Sequence, residues 1–155
     1  MSRILRKSML MTTRPFLFLF AFMLSGIFAD TAFSKIGETK ATMIQVFGTP
    51  TDTTAEGFKV FKQGHLTIHA HFTEGNCDNI VYIAADNAPF DANITSEILA
   101  YESNGAAWIV SEKSTSDFTM WSTVKNKLHA ALYTHSKLSI FTDAFLKSRM
   151  SKQGN

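Results

Sequence analysis

The stretch "HLTIHAHFTEGN", His65 to Asn76, constrains the fold of this chain more than any other. Leu66, Ile68, Ala70 and Phe72 alternate in it with His65, Thr67, His69 and His71. A period of two belongs to a strand with one apolar and one polar face. Turn signals bracket the run, at Gln63-Gly64 on one side and Glu74-Gly75-Asn76 on the other. Connections this short can join antiparallel strands, whereas parallel strands need a crossover of about a dozen residues or more. The run from Gly57 to Asp86 therefore reads as a three-stranded antiparallel meander, with one face on a helix and the other toward water.

A helix to cover that face stands just upstream, in "IGETKATMIQVFGTP", Ile36 to Pro50. Thr39 is a good N-cap, its hydroxyl free to accept an early backbone N–H. Met43, Ile44 and Phe47 fall on one stripe at helical period. Gly48 can take the left-handed conformation that ends a helix, and Pro50 blocks continuation. A helix of about nine residues does not persist alone in water, so it must pack on something.

The second half repeats this pattern in outline. "NITSEILAYESNG" predicts a short helix with Ile94, Ile98 and Tyr101 on one face and Gly105 past its end. Strand-like runs follow in "AAWIVSE", "FTMWSTV", "KLHAALYTH" and "KLSIFTDAFL". Leu66, Ile68 and Ala70 find counterparts at Leu128, Ala130 and Leu132, at a constant shift of 62. The expected class is α+β, with short helices packed on an antiparallel β-meander sheet. The expected order is α-β-β-β-α-β-β-β-β, with repeat halves at 35–88 and 89–148. The tail "KSRMSKQGN" is polar and expected to fray.

Ahead of this domain lies a leader. Arg3, Arg6, Lys7 and Arg14 precede "FLFLFAFMLSGIF", a run of 13 apolar or small residues, and small residues follow at Ala29, Ala32 and Ser34. A basic start, an apolar run of this length and a small-residue exit describe a secretory signal peptide. The run falls short of the roughly 20 residues a spanning helix needs. Residues 1–34 are therefore expected to be removed, with cleavage after Ala29 or Ser34. Residues 35–155 then form a single domain in the periplasm or outside the cell, with no permanent membrane anchor.

Cleavage alters the charge balance. The full chain holds 15 basic and 13 acidic residues. The leader takes Arg3, Arg6, Lys7, Arg14 and Asp30, which leaves 11 against 12 and a net charge of −1. The remaining lysines and arginines form no run of three, so nucleic acid is not an expected partner. Cys77 is the single cysteine, so no internal disulfide can form. It is either a small buried hydrophobe or a thiol open to disulfide dimerisation.

The Ile36–Pro50 stretch resembles the leading helix motif of the BamE (SmpA/OmlA) family of small outer-membrane assembly lipoproteins. Gly37, Thr39, Met43, Ile44, Phe47, Gly48 and Pro50 match that motif. The same helix-then-sheet unit, duplicated, is similar to the β-lactamase-inhibitor-protein-like fold. The resemblance implies a fold of caps, core and stops more than an activity. The acylated cysteine of the lipoproteins has no counterpart here.

Three groups of residues could carry function. His65, His69 and His71 share a strand face, and neighbours two apart on such a face lie about 6.5 to 7 Å apart. His69 and His71 could thus reach one metal, which as zinc would need two further ligands, with His129 and His135 as distant candidates. Otherwise the histidines are polar residues on the wet face of a sheet. Trp108, Phe118, Trp121 and Tyr133 cluster in the second half. They fill a second core, or else Trp108, Trp121 and Tyr133 anchor an interface where they point outward. A Cys77–histidine pair would be a recognised nucleophile, yet no helix start or basic neighbour marks that thiol as activated. Asp78, Asp86, Asp91 and Glu97 read as caps and turn residues. No cofactor is expected. The expected function is a non-enzymatic exported binding module, inhibitor-like, with an envelope or extracellular protein as partner. The alternative is a metal- or small-ligand-binding protein using the histidine face.

Overall fold

A computed structural model of the chain describes residues 34–112, 114–115, 118–133 and 135–153. The signal peptide and a cut after Ala29 lie outside the described residues. The elements run α1 (Lys40–Phe47), β1 (Asp52–Thr53), β2 (Lys59–Gln63), β3 (Leu66–Thr73), β4 (Asn76–Ala84), α2 (Ala92–Glu102), β5 (Ile109–Val110), β6 (Phe118–Ser122), β7 (Leu128–Tyr133), β8 (Lys137–Thr142) and α3 (Asp143–Gln153). The fold is α+β. Each half is a helix followed by a four-stranded meander. The expected three strands of the first half become four because β1, only two residues long, carries no periodic signal.

All eight strands form one antiparallel sheet in the order β1-β2-β3-β4-β8-β7-β6-β5. The two meanders thus join through their last strands. Leu66 pairs with Ala84 and Leu128 with Thr142, so a shift of 62 from β3 to β7 becomes one of 58 from β4 to β8. That shift carries Val81 onto Ser139, and Val81 faces Ser139 across the seam. A residue paired with its own equivalent marks an approximate two-fold axis through the sheet. Beside it Ser139 Oγ donates to Asn79 Oδ1 at 3.2 Å, and both side chains are buried.

One face of the sheet holds the main core. Trp121, Ala130, Ile140, Ile80 and Ala70 form a single cross-strand row, and Phe61, Ile68, Tyr82, Leu138 and Leu132 form the next. Met43 of α1 and Leu99 of α2 close over them. Helix α1 is built as its residues dictate. Thr39 Oγ1 accepts from the Thr42 N–H at 3.2 Å, and Gly48, at φ +82°, donates its N–H to the Ile44 carbonyl at 2.9 Å. Of the expected stripe Ile94, Ile98 and Tyr101, Ile98 packs against the core and Tyr101 is half-buried, but the most buried stripe of α2 is a neighbouring one. Thr95, Leu99 and Glu102 are buried, while Ile94 is exposed. The apolar count alone could not find that stripe, because two of its three members are polar.

The opposite face is not open to water as the alternation suggested. The expected frayed tail is helical to Gln153, and α3 lies across this side of the sheet. Thr142 Oγ1 accepts from the Phe145 N–H at 3.1 Å and so starts the helix. Phe145 then packs with Phe141, Ala131 and Phe58 in a second cluster. Arg149 lays its guanidinium 5.1 Å from the Phe145 ring centre. Two apolar residues in one turn, Phe145 and Leu146, suffice to dock a helix whose other residues are polar apart from Ala144 and the exposed Met150.

Candidate functional site

The three histidines of the first half occupy three different settings. His65 sits in the β2–β3 turn and is exposed, outside the strand. His69 is half-buried beside Phe58, and that desolvation, with Lys137 nearby, lowers its pKa below the ordinary imidazole value. His71 Nδ1 lies 2.6 Å from Asp78 Oδ1, its ring 5.2 Å from that of Phe58 and 5.3 Å from that of Phe145. The ring is thus already engaged on one side and packed on two others. His129 belongs to β7, separated from β3 by β4 and β8, and its Nε2 lies 2.7 Å from Asp143 Oδ1. That bond and the Lys147 ammonium hold the Asp143 carboxyl below the usual carboxylate range. His135 lies in the β7–β8 turn at φ +61°. Among the described residues no group of three or more His, Cys, Asp and Glu comes together in metal-binding geometry.

Cys77 is 1% exposed, and burial pushes its thiol well above the ordinary value. A thiol so placed is poorly ionised and cannot meet another chain without local unfolding. Of the two expectations for this cysteine, the small buried hydrophobe describes its setting.

The aromatic candidates diverge. Trp108 is held half-buried by a bond from its Nε1 to the Leu99 carbonyl at 2.7 Å and packs on the core. Trp121 is likewise half-buried. Tyr133 is exposed, with its ring 5.3 Å from that of Phe118. Trp108 and Trp121 line a shallow open groove of about 350 Å³ between α2 and the end of the sheet, with Leu99, Ala100, Ala106 and Val110. Val110 pairs with Trp121 on this side. Ile109 is 55% exposed, Val110 59% and Val124 80%, and β5 is the last strand of the sheet among the described residues.

Glu102 was missed by sequence reasoning. It is fully buried at the end of α2. Its Oε1 accepts from the Tyr82 hydroxyl at 2.5 Å, and its Oε2 from the Lys35 N–H at 2.9 Å, the Ile36 N–H at 3.2 Å and the Ser34 hydroxyl at 3.2 Å. Burial raises the Glu102 carboxyl above its ordinary value despite these donors, and burial beside that carboxylate raises Tyr82 too. The one available signal was its place in the stripe Thr95, Leu99, Glu102, where a core residue is due.

No protein-family model matches this chain, and no curated protein matches it. Among solved structures it is similar to a DUF4309 family protein from Bacillus subtilis, at TM-score 0.40 and 12% identity, over 68% of this chain and 79% of that one. It is also similar to a cysteine-rich secretory protein from Staphylococcus aureus, at TM-score 0.47 and 12% identity, over 72% of this chain and 46% of that one. An extracellular protein containing an SCP domain from Bacillus anthracis matches at TM-score 0.41 and 14% identity, over 76% of this chain and 48% of that one. The chain spans about half the length of the latter two proteins. No helix among the described residues is long and apolar enough to cross a membrane.

Proposed function

We propose that this protein is an exported, non-enzymatic binding module that contacts a partner protein through the β5 end of its sheet. The observation that carries this function is the apolar exposure gathered at one place. Val110 is exposed in the groove under α2 beside the half-buried Trp121, with Ile109 exposed next to it on β5 and Val124 exposed just past the end of β6. A strand edge without a partner strand among the described residues, next to an apolar groove, suits an extended segment of a partner, which would add main-chain bonds to β5 and seat side chains against Trp108 and Trp121. Export rests on the basic leader and its apolar run, and places the partner in the envelope or outside the cell. The doubled helix-plus-meander unit and the Gly37–Pro50 helix support kinship with BamE-like and β-lactamase-inhibitor-protein-like modules, which we also propose. The histidine face supports a metal-binding role less well, because His71 is taken up by Asp78 and its aromatic neighbours.

A photo-crosslinking residue placed at Val110 in exporting cells tests this surface. A discrete protein adduct is expected from Val110, none from Met150 on α3, and loss of the adduct when Ile109 is changed to Lys. Adducts of equal strength from both faces, or none from Val110, would exclude the β5 surface. Zinc raising the melting temperature of the wild type, and not of a His69→Ala and His71→Ala double variant, would favour the metal-binding alternative instead.

A further inference from the structure

Glu102 is a fully buried carboxyl whose four donors are all neutral: two backbone N–H groups and two hydroxyls. None of the ion pairs among the described residues involves it. The side chain of Lys35, whose backbone N–H bonds Glu102, directs its ammonium elsewhere, over the Tyr101 ring at 5.4 Å from the centroid. A carboxylate in such a place calls for a positive charge. The nitrogen closest to Oε2 is the backbone nitrogen of Lys35, at 2.9 Å. It belongs to the peptide bond after Ser34, and the residues before that bond, Ala32-Phe33-Ser34, have the small-x-small form that leader processing requires.

We propose that the Ser34–Lys35 bond is the processing site, and that the new α-ammonium of Lys35 becomes the buried counter-ion of Glu102. The proposal rests on the export reading above and fixes which of the two candidate bonds is cut. An envelope leader peptidase adds water across the bond. The carbonyl of Ser34 leaves as a carboxylate on the released leader, and the nitrogen of Lys35 becomes an amine that takes up a proton at neutral pH. Lys35 is 3% exposed once docked, so the cut precedes docking of residues 35 and 36, as it does for a chain exported before it folds. Cleavage removes the Ser34 hydroxyl from Glu102 and replaces a neutral N–H with a cation at the same atom. Processing would thereby favour the ionised carboxylate and lock the new N-terminus onto α2.

The titratable groups acting with Glu102 are Tyr82 and Cys77 of β4, while Tyr101, next to it on α2, and the Lys35 ammonium face one another. Tyr82 and Cys77 are both pushed up by burial and stay protonated through mildly alkaline pH. A free α-amino group titrates near pH 7.7 to 8.0, and pairing with Glu102 raises that value in the folded state. The stabilisation is then complete below about pH 7.7 and is lost as pH rises through the folded value.

The full chain should be expressed in an exporting cell and the product sequenced from its N-terminus. Lys35 as first residue is expected. An N-terminus at Asp30 or any other processed position overturns this proposal alone, whereas an intact leader overturns the export reading with it. The second arm compares the exported protein with its exported Glu102→Gln variant by urea unfolding at pH 6.5 and pH 9.5. The folding constant of the wild type should fall about tenfold more than that of the variant over this interval, the effect of a one-unit rise in the α-amino pKa. Equal falls would overturn the counter-ion role, and the sequencing stands even if the variant does not fold.

Discussion

His71 Nδ1 lies 2.6 Å from Asp78 Oδ1 on the neighbouring strand, and Asp78 Oδ2 accepts a 2.6 Å bond from the Thr73 hydroxyl. This pair sits under α3, on the face that strand alternation assigns to water. Changing His71 to Ala removes one of the two partners of a half-buried carboxylate and empties the space between Phe58 and Phe145. A cost of about 1–3 kcal/mol is expected from the urea midpoint. His65→Ala, in the exposed turn, should stay within about 0.5 kcal/mol. Equal costs at the two positions would mean that α3 does not cover this face.

Phe145 tests that cover directly. It is 9% exposed and joins Phe58, Phe141 and Ala131. Phe145→Ala should cost about 3 kcal/mol, and hydrogen exchange should quicken on α3 first. A variant as stable as wild type would return α3 to the frayed tail its polarity suggests.

Tyr82 donates to Glu102 from the middle of the core. Tyr82→Phe keeps the ring and deletes the donor, so a cost of about 1–3 kcal/mol is expected in chemical denaturation. In a chain that keeps Ser34 joined to Lys35, burial holds the Glu102 carboxyl above its ordinary value. The folded state then retains a proton that the unfolded state releases near pH 4.3. That contribution is complete below about pH 4.3 and is lost as pH rises through the folded value. Glu102→Gln should flatten this arm of the stability profile, which urea midpoints between pH 4 and 7 would read.

Gly48 stands at φ +82°, and a Cβ built there meets nothing within 4 Å. Space therefore does not limit the position; backbone conformation does. Gly48→Val should cost about 1 kcal/mol or more, because a β-branched residue is strained in the left-handed region. An unchanged midpoint would rule out the assigned end of α1.

The sequence by itself determined the local pieces whose causes are local. Thr39 and Gly48 set the ends of α1, and Asp91, accepting from the Ile94 N–H at 2.8 Å, starts α2. The alternation from Leu66 to Phe72 fixed which side of β3 meets the core, since a strand's faces follow from its period. The turns between short strands fixed an antiparallel meander, and the shift of 62 between β3 and β7 pointed to its repetition. Only the tertiary structure decided what covers each face and which distant groups meet. The α3 cover depends on contacts of Phe145 with Phe141 and Phe58, and helix propensity carries no record of a docking face. The seam at Val81 and Ser139 depends on two strands almost 60 residues apart choosing each other as edges. Glu102 carries no signal of its role in the sequence, because a carboxylate on a short helix is ordinarily a solvent-facing charge. Its burial is decided by Tyr82 and by the N–H groups of Lys35 and Ile36, which the fold brings to it from 20 and more than 60 residues away.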